Sequence, residues 1–121
     1  STYFDQFRDW MRLCYARDWT RLVAQAATFQ AMPKERQKNF LSYALHMLRE
    51  TLVASFAQTA LARTTAEEQQ FTQKLSKVLT HQQIKVYVHW LNQAHYYLGR
   101  YAHPKMLYLD LSIKMSHHFK A

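Results

Sequence analysis

Apolar residues recur at helical spacing through the middle of the chain, from Pro33 to Ala62. An i, i+3, i+4, i+7 spacing predicts an amphipathic helix with a wide buried face, which needs other helices packed around it. Pro33 fits the first helical position, because an N–H there would have no helical partner. The predicted apolar stripe consists of Leu41, Leu45, Leu48, Leu52 and Phe56, broadened by Phe40, Ala44, Met47 and Ala60.

Two further helices are predicted before this central one. The first runs from Thr2 to Tyr15 with Thr2 as its cap, and the second runs from Trp19 to Ala31 with Asp18 as its cap. The residues predicted to face inward are Phe4, Phe7, Trp10, Met11 and Cys14 in the first helix and Leu22, Val23, Ala26, Ala27 and Phe29 in the second.

Two capping boxes predict the starts of two more helices. Thr65 with Glu68 opens a short helix, and Thr80 with Gln83 opens a longer one that ends close to Gly99. The predicted inward residues are Phe71 and Leu75 in the short helix, and Ile84, Val88, Leu91, Ala94, Tyr97 or Leu98, and Tyr101 in the longer one.

The segment from Met106 to Met115 has two interpretations. Its apolar residues alternate, which by period alone is typical of a strand. Pro104 favours a helix, because proline suits the first helical position and a lone strand would have no partner. The helical interpretation groups Leu107, Leu111 and Met115 on one side, with Met106 and Ile113 flanking them.

The scarcity of turn residues indicates the fold class. The 121 residues include one glycine and two prolines, whereas sandwiches and barrels need turn residues at short intervals. We therefore predict an all-α fold, a compact bundle of about five to six helices that forms a single domain over residues 1–121. Because the chain begins at Ser1 instead of methionine, we expect it to be a fragment of a longer protein.

The charge and the cysteine content narrow the possible partners and the cellular compartment. The formal net charge of +8 predicts a basic surface, suited to nucleic acid, a membrane surface or an acidic partner. No apolar run approaches the roughly 20 residues of a membrane span, and no signal peptide is recognisable, so we expect no membrane association. Cys14 is the lone cysteine, which excludes a disulfide framework and favours a reducing, cytoplasmic compartment.

The polar residues do not form a recognisable catalytic or metal-binding motif. Seven histidines are present, but none is paired at His-x-x-x-His spacing. Cys14 lies on an apolar helix face, where an inert core thiol is expected, and there is no glycine-rich phosphate loop. We expect no catalytic residues, no metal and no cofactor in this domain.

Aromatic residues are interleaved with arginine along the chain. Such a mixture suits a nucleic-acid surface or a protein interface, although about half of these residues are expected in the core. Tyr96 and Tyr97 are adjacent and cannot easily both face inward, so at least one is expected at a surface. The mixture comprises Trp10, Tyr15, Trp19, Trp90, Tyr96, Tyr97 and Tyr101 with Arg8, Arg12, Arg17, Arg21 and Arg100.

Three segments carry a resemblance to a known family. They are FRDWMRLCY (Phe7 to Tyr15), KERQKNFLSYALHMLRE (Lys34 to Glu50) and NQAHYYLGRYAHPKMLYLDLSIK (Asn92 to Lys114). Together they resemble the C-terminal domain of the delta-prime subunit of bacterial DNA polymerase III, in the clamp loader family. The resemblance spans nearly the whole chain and rests on the combined pattern. His103 stands before Pro104, where family members usually carry asparagine. Histidine is a poorer helix cap than asparagine.

The resemblance implies an all-helical collar domain at the C-terminus of an AAA+ type chain. Such collars hold the loader subunits together, while other modules carry the nucleotide-binding and arginine-finger residues. It also implies that the last segment is a helix, that the partners are the delta and gamma/tau collars, and that the setting is the cytoplasmic replisome. The gamma/tau subunits share the domain plan and remain an alternative to delta-prime.

Two main hypotheses for function follow. The first is a non-catalytic oligomerisation domain, and the second is a basic helical module that binds DNA directly, although Lys and Arg are spread over many segments. A helical adaptor unrelated to replication is a third option. The candidate partner-binding residues are Trp19, Arg21, Tyr96, Tyr97, Arg100 and Tyr101.

Overall fold

The computed structural model describes residues 2–56 and 64–119, and this part of the chain forms six α-helices and no strand. The predicted all-α bundle of five to six helices is confirmed, and the last segment is a helix. The helices are α1 (Thr2–Ala16), α2 (Trp19–Ala31), α3 (Lys34–Phe56), α4 (Ala66–Val78), α5 (His81–Leu98) and α6 (Pro104–His118).

Side-chain caps define three of the helix starts. The side chains of Thr65 and Thr80 each accept a hydrogen bond from the backbone N–H of the third helical residue, and both capping boxes are complete. The Asp18 carboxylate accepts a bond of 3.2 Å from the Arg21 N–H at the start of α2. These three predictions are confirmed. His103 gives α6 no side-chain cap, and Pro104 occupies its first turn.

One predicted helix start and one predicted cap are wrong. Pro33 precedes α3 instead of opening it, and its carbonyl accepts a 3.0 Å hydrogen bond from the Gln37 N–H, which makes it the capping residue. The predicted start of α1 at Thr2 is confirmed, but Thr2 is itself helical, so the prediction that it caps this helix is wrong. The start of α3 differs from the prediction by one residue, and proline is tolerated at either position because the first N–H groups of a helix have no helical partner.

The helices pack in an order that differs from their order along the chain. The central helix α3 packs mainly against α5 and α4, and α2 packs mainly against α6. Helix α1 lies between these groups and contacts α2, α3 and α6. Helix α6 therefore packs on α1, α2 and α5 with one side only, which leaves its opposite side at the surface.

A cluster of rings joins α1, α2, α3 and α6 in the core. Trp10 stacks on Tyr108 with ring centroids 4.6 Å apart, and Phe29 lies 5.0 Å from the same tyrosine. Phe40 contacts Trp10 at 5.6 Å. All four side chains are fully buried. Large aromatic side chains bury the most apolar area per residue, so this cluster is a principal source of stability.

Several predicted core residues lie at the surface. Val23 and Ala27 are exposed because α2 buries only the narrow stripe of Leu22, Ala26 and Phe29. Tyr97 is exposed and Leu98 is buried, which decides between the two predicted alternatives. The remaining differences are Phe56 and Tyr101, which are exposed, and Leu52 and Val88, which are half-buried; the predicted core residue Ala60 lies outside the described residues.

Phe56 and Tyr101 are exposed because each lies at or just beyond the end of a helix. Phe56 is the last residue of α3 and rests on His81, with ring centroids 4.0 Å apart. Tyr101 follows the end of α5, because that helix stops at Leu98, and its side chain is 99% exposed. The core receives Tyr87 and Tyr108 instead, neither of which was predicted there.

Candidate protein-binding surface

The end of α5 places four of the six predicted interface residues together. The N–H groups of Arg100 and Ala102 both donate to the carbonyl of Tyr97, so the chain turns immediately after the helix. Leu98 is buried beneath this turn, whereas the neighbouring Tyr96 and Tyr97 are both exposed. Leu98 thus anchors the turn while its neighbours remain available for binding. The prediction that at least one of the two tyrosines lies at the surface is confirmed, since both do.

Arg100 is ordered against the aromatic rings at this turn. Its guanidinium lies 4.2 Å from the centroid of the Tyr96 ring, a cation–π contact. Tyr96 in turn meets Tyr97 edge to face, with centroids 5.5 Å apart. This stacking restrains side chains that would otherwise lose conformational freedom on binding, which lowers the cost of using them in an interface.

An open depression connects the same turn to the start of α6. Its volume is about 510 Å³, and both Tyr97 and Tyr101 line it. The α6 side is formed by Met106, whose side chain is 64% exposed, and by Leu107 and Asp110. The tyrosines of α5 and the first turns of α6 therefore form one surface.

A second depression, of about 360 Å³, lies between α2 and the later turns of α6. Trp19 and Val23 line it from α2, and Ile113 and His117 line it from α6. The Trp19 and His117 ring centroids are 6.2 Å apart. Arg21 lines neither depression; its side chain points into solvent and forms an exposed ion pair with Asp18 at 3.7 Å.

The outer side of α6 links the two depressions. Met106 and Ile113 are seven residues apart, which places them on the same face about 10 Å from each other along the helix. Asp110 lies between them and is paired with Lys114 at 2.9 Å, so the middle of this face carries a paired charge. We call the combined region the α6 surface; its residues are Trp19, Val23, Tyr97, Tyr101, Met106 and Ile113.

Three members of the α6 surface were not predicted as binding residues: Val23, Met106 and Ile113. The sequence contains a feature that points to two of them. Apolar residues occur all around α6, so the segment resembles a strand by period, and a helix with two apolar faces has more apolar surface than one core contact can cover. The structure buries Leu111 and Met115 and leaves Met106 and Ile113 outside.

The interior holds polar groups with shifted pKa values and no access to solvent. Burial raises the pKa of the Cys14 thiol from 9.0 to about 12, although the Ser116 and Ser112 hydroxyls partly offset this. The thiol is therefore protonated at neutral pH and fully buried, as its position on an apolar helix face predicts. Within residues 2–56 and 64–119, no three His, Cys, Asp or Glu side chains are placed to hold a metal ion.

Comparisons with protein-family models, with curated proteins and with solved structures found no match to this chain. In the described part of the chain, no helix combines the length and the apolar character needed to cross a membrane.

Proposed function

We propose that this chain is a non-catalytic oligomerisation domain that uses the α6 surface to bind other helical domains. The observation that carries this proposal is the clustering of exposed apolar side chains. Of the nine large hydrophobic residues exposed in the described ranges, six belong to the α6 surface. Apolar side chains exposed singly are normal on a protein surface, whereas a cluster of them on one side is typical of an interaction site.

The composition of the surface supports a protein partner. Tyrosine, tryptophan and methionine are enriched at the centres of protein interfaces, with arginine as a frequent anchor. The α6 surface contains Trp19, Tyr97, Tyr101 and Met106, and Arg100 lies against it over the ring of Tyr96.

The resemblance to clamp loader collars supports a specific partner class. The segment from Asn92 to Lys114 carries part of that resemblance and also carries four of the six residues of the α6 surface. The proposed partners are the collar domains of the delta and gamma/tau subunits, with this chain in the delta-prime position, or alternatively in the gamma/tau position. The proposed setting is the cytoplasmic replisome of a bacterium, with ATP hydrolysis carried by other modules.

Direct DNA binding is the second candidate function. The formal net charge of +8 favours it, because basic surfaces bind the phosphate backbone. Lysine or arginine occurs on all six helices, however, instead of forming one stripe. The α6 surface is apolar, and the neighbouring Lys114 is paired with Asp110, so positive charge does not explain why the aromatic rings of this surface are exposed.

The test is capture of the partner collar domains by the Tyr97→Ala/Arg100→Ala double variant. We expect capture to weaken about tenfold or more, because a few aromatic and arginine anchors supply most of an interface's affinity and this variant truncates two of them. Both side chains are exposed, so the melting temperature should stay close to that of the wild type. Lys85→Ala, an exposed change elsewhere on α5, is the control. Unchanged capture by the double variant would show that this surface is not the interface.

A further inference from the structure

A second groove lies between α1 and α4, away from the α6 surface. Both helices pack on α3, and the main neighbour of α4 is α3 and not α1. The space between them has a volume of about 230 Å³. Its floor is apolar and consists of Met11, Tyr15, Phe71, Leu75, Val78 and Phe119.

The floor is held in place by packing against the core. Met11, Phe71 and Leu75 are buried, and the Phe71 ring meets the Phe7 ring edge to face at 6.0 Å. Phe119, beyond the end of α6, meets the Tyr15 ring edge to face at 5.7 Å. The groove is therefore formed before any ligand arrives.

A shallower hollow extends the groove along both helices. The two share Arg12, Phe71 and Lys74, and the hollow adds Arg8, Glu67 and other residues from the first turns of each helix. Along α4 the lining runs from Glu67 to Val78, twelve residues that span about 16 Å of helix. This length matches about three turns of a helix laid into the groove.

The rim of the groove carries positive charge. Arg12 on α1 and Lys74 on α4 face it from opposite sides, and neither forms an ion pair with another described residue. Arg8 is paired at 3.3 Å with both Asp5 and Asp9. Glu67 is the one carboxylate among the described lining residues, and it lies at the far end of the hollow.

We propose that this groove binds an acidic amphipathic helix of a partner protein. Apolar side chains at i, i+3 or i+4 and i+7 enter the apolar floor, and flanking carboxylates pair with Arg12 and Lys74. The groove is smaller than the roughly 300–1,000 Å³ of small-molecule pockets and is open along its length, which fits side chains presented by a helix. The site shares no residue with the α6 surface and does not depend on the clamp loader proposal.

The test uses three synthetic 18-residue peptides. One carries a leucine face flanked by glutamates, the second replaces the glutamates with lysines, and the third has the composition of the first in scrambled order. Titrations followed by amide NMR report both the dissociation constant and the location. We expect the acidic peptide alone to bind, with the largest shifts at Leu75, Val78 and Tyr15.

Charge-reversal variants at the rim test whether Arg12 and Lys74 bind the carboxylates of the acidic peptide. Arg12→Glu and Lys74→Glu change exposed side chains, and each should weaken the acidic peptide about fivefold to tenfold. Lys85→Glu makes the same change in net charge on α5 and should leave the affinity within about twofold of the wild type. Weakening of equal size in all three variants would reduce the effect to net charge and overturn the proposal.

Three further outcomes would overturn it. They are shifts that map to α6 instead of the groove, equal binding of the acidic and basic peptides, and no shifts with any peptide at millimolar concentration. Binding of the protein to phosphatidylglycerol vesicles that Lys74→Glu abolishes, with no peptide binding, would assign the groove to a lipid surface instead.

Discussion

The indole N–H of Trp10 donates a hydrogen bond of 2.8 Å to the hydroxyl of Ser112, across 102 positions of sequence. Ser112 in turn donates to the carbonyl of Tyr108 at 2.7 Å, and the Trp10 ring stacks on that tyrosine. The first and last helices are thus joined by a bond and a ring contact in the core. This pairing fixes which side of α6 faces inward, and the adjacent Ile113 consequently faces out.

Removing this hydroxyl should destabilise the fold. In Ser112→Ala, the buried Trp10 N–H loses its acceptor, and an unsatisfied buried donor costs about 1–3 kcal/mol. Urea unfolding should show a lower midpoint by a corresponding amount. Ser42→Ala, an exposed change on α3, is the matched control and should unfold close to the wild type. Equal midpoints for the two variants would mean that the Trp10–Ser112 bond contributes little.

The Cys14 thiol should resist modification in the folded protein. Burial raises its pKa from 9.0 to about 12, so the folded thiolate population below pH 9 is roughly a thousandfold smaller than in the unfolded chain. A thiol reagent added at pH 8 should label the unfolded protein at once and the folded protein only as it opens. Labelling of both at the same rate would contradict the placement of Cys14 in the core.

The same shift gives a pH dependence of stability. The pKa of the Cys14 thiol is higher in the folded protein than in the unfolded chain. The contribution of this thiol to the free energy of unfolding is therefore complete below pH 9.0 and is lost as pH rises toward about 12. Burial also raises the pKa values of Tyr87 and Tyr108, which act in the same direction from about pH 10 upward. The free energy of unfolding, measured by urea titration, should therefore fall steadily at alkaline pH; a constant value would contradict the burial of these groups.

The Glu68 carboxylate should show the opposite dependence of stability on pH. Burial by itself raises the pKa of Glu68, but hydrogen bonds from the Thr65 N–H and the Tyr43 hydroxyl outweigh it and lower the pKa below 4.5. The carboxylate therefore stabilises the fold above pH 4.5, and this contribution is lost as pH falls through the folded pKa.

Tyr43→Phe tests this relationship. We expect a loss of about 1 kcal/mol in the free energy of unfolding at neutral pH, a modest value because the site is partly exposed to solvent. The difference from the wild type should narrow below pH 4.5. Tyr96→Phe removes a hydroxyl from an exposed tyrosine and should have little effect at either pH. A loss from Tyr43→Phe that does not change with pH would contradict the contribution of the Glu68 carboxylate.

Local chemistry made most of the fold predictable. The predicted bounds of the second helix, Trp19 to Ala31, match α2 residue for residue, because Asp18 caps it through an interaction three residues away. The boxes at Thr65 and Thr80 are equally local. Burial was harder to predict: Tyr87 and Tyr108 enter the core while Tyr97 and Tyr101 do not, and partners distant in sequence decide this.

The candidate surface was predictable only in part. Tyr96, Tyr97, Arg100 and Tyr101 are close in sequence and lie together, as expected for one turn at a helix end. Trp19 reaches the same surface only because α2 packs against α6, a pairing of helices that no local pattern reveals. The groove between α1 and α4 arises in the same way, from two helices that share α3 as a neighbour.

The central claim is that the α6 surface binds other helical domains. Its most direct test is light scattering with size-exclusion chromatography of this domain mixed with delta and gamma/tau collar domains, at low and at moderate salt. We predict a stoichiometric complex that survives moderate salt and is lost in Met106→Asp/Ile113→Asp, whose two exposed positions leave the fold intact. No complex with any collar, together with salt-sensitive binding to duplex DNA, would contradict the account.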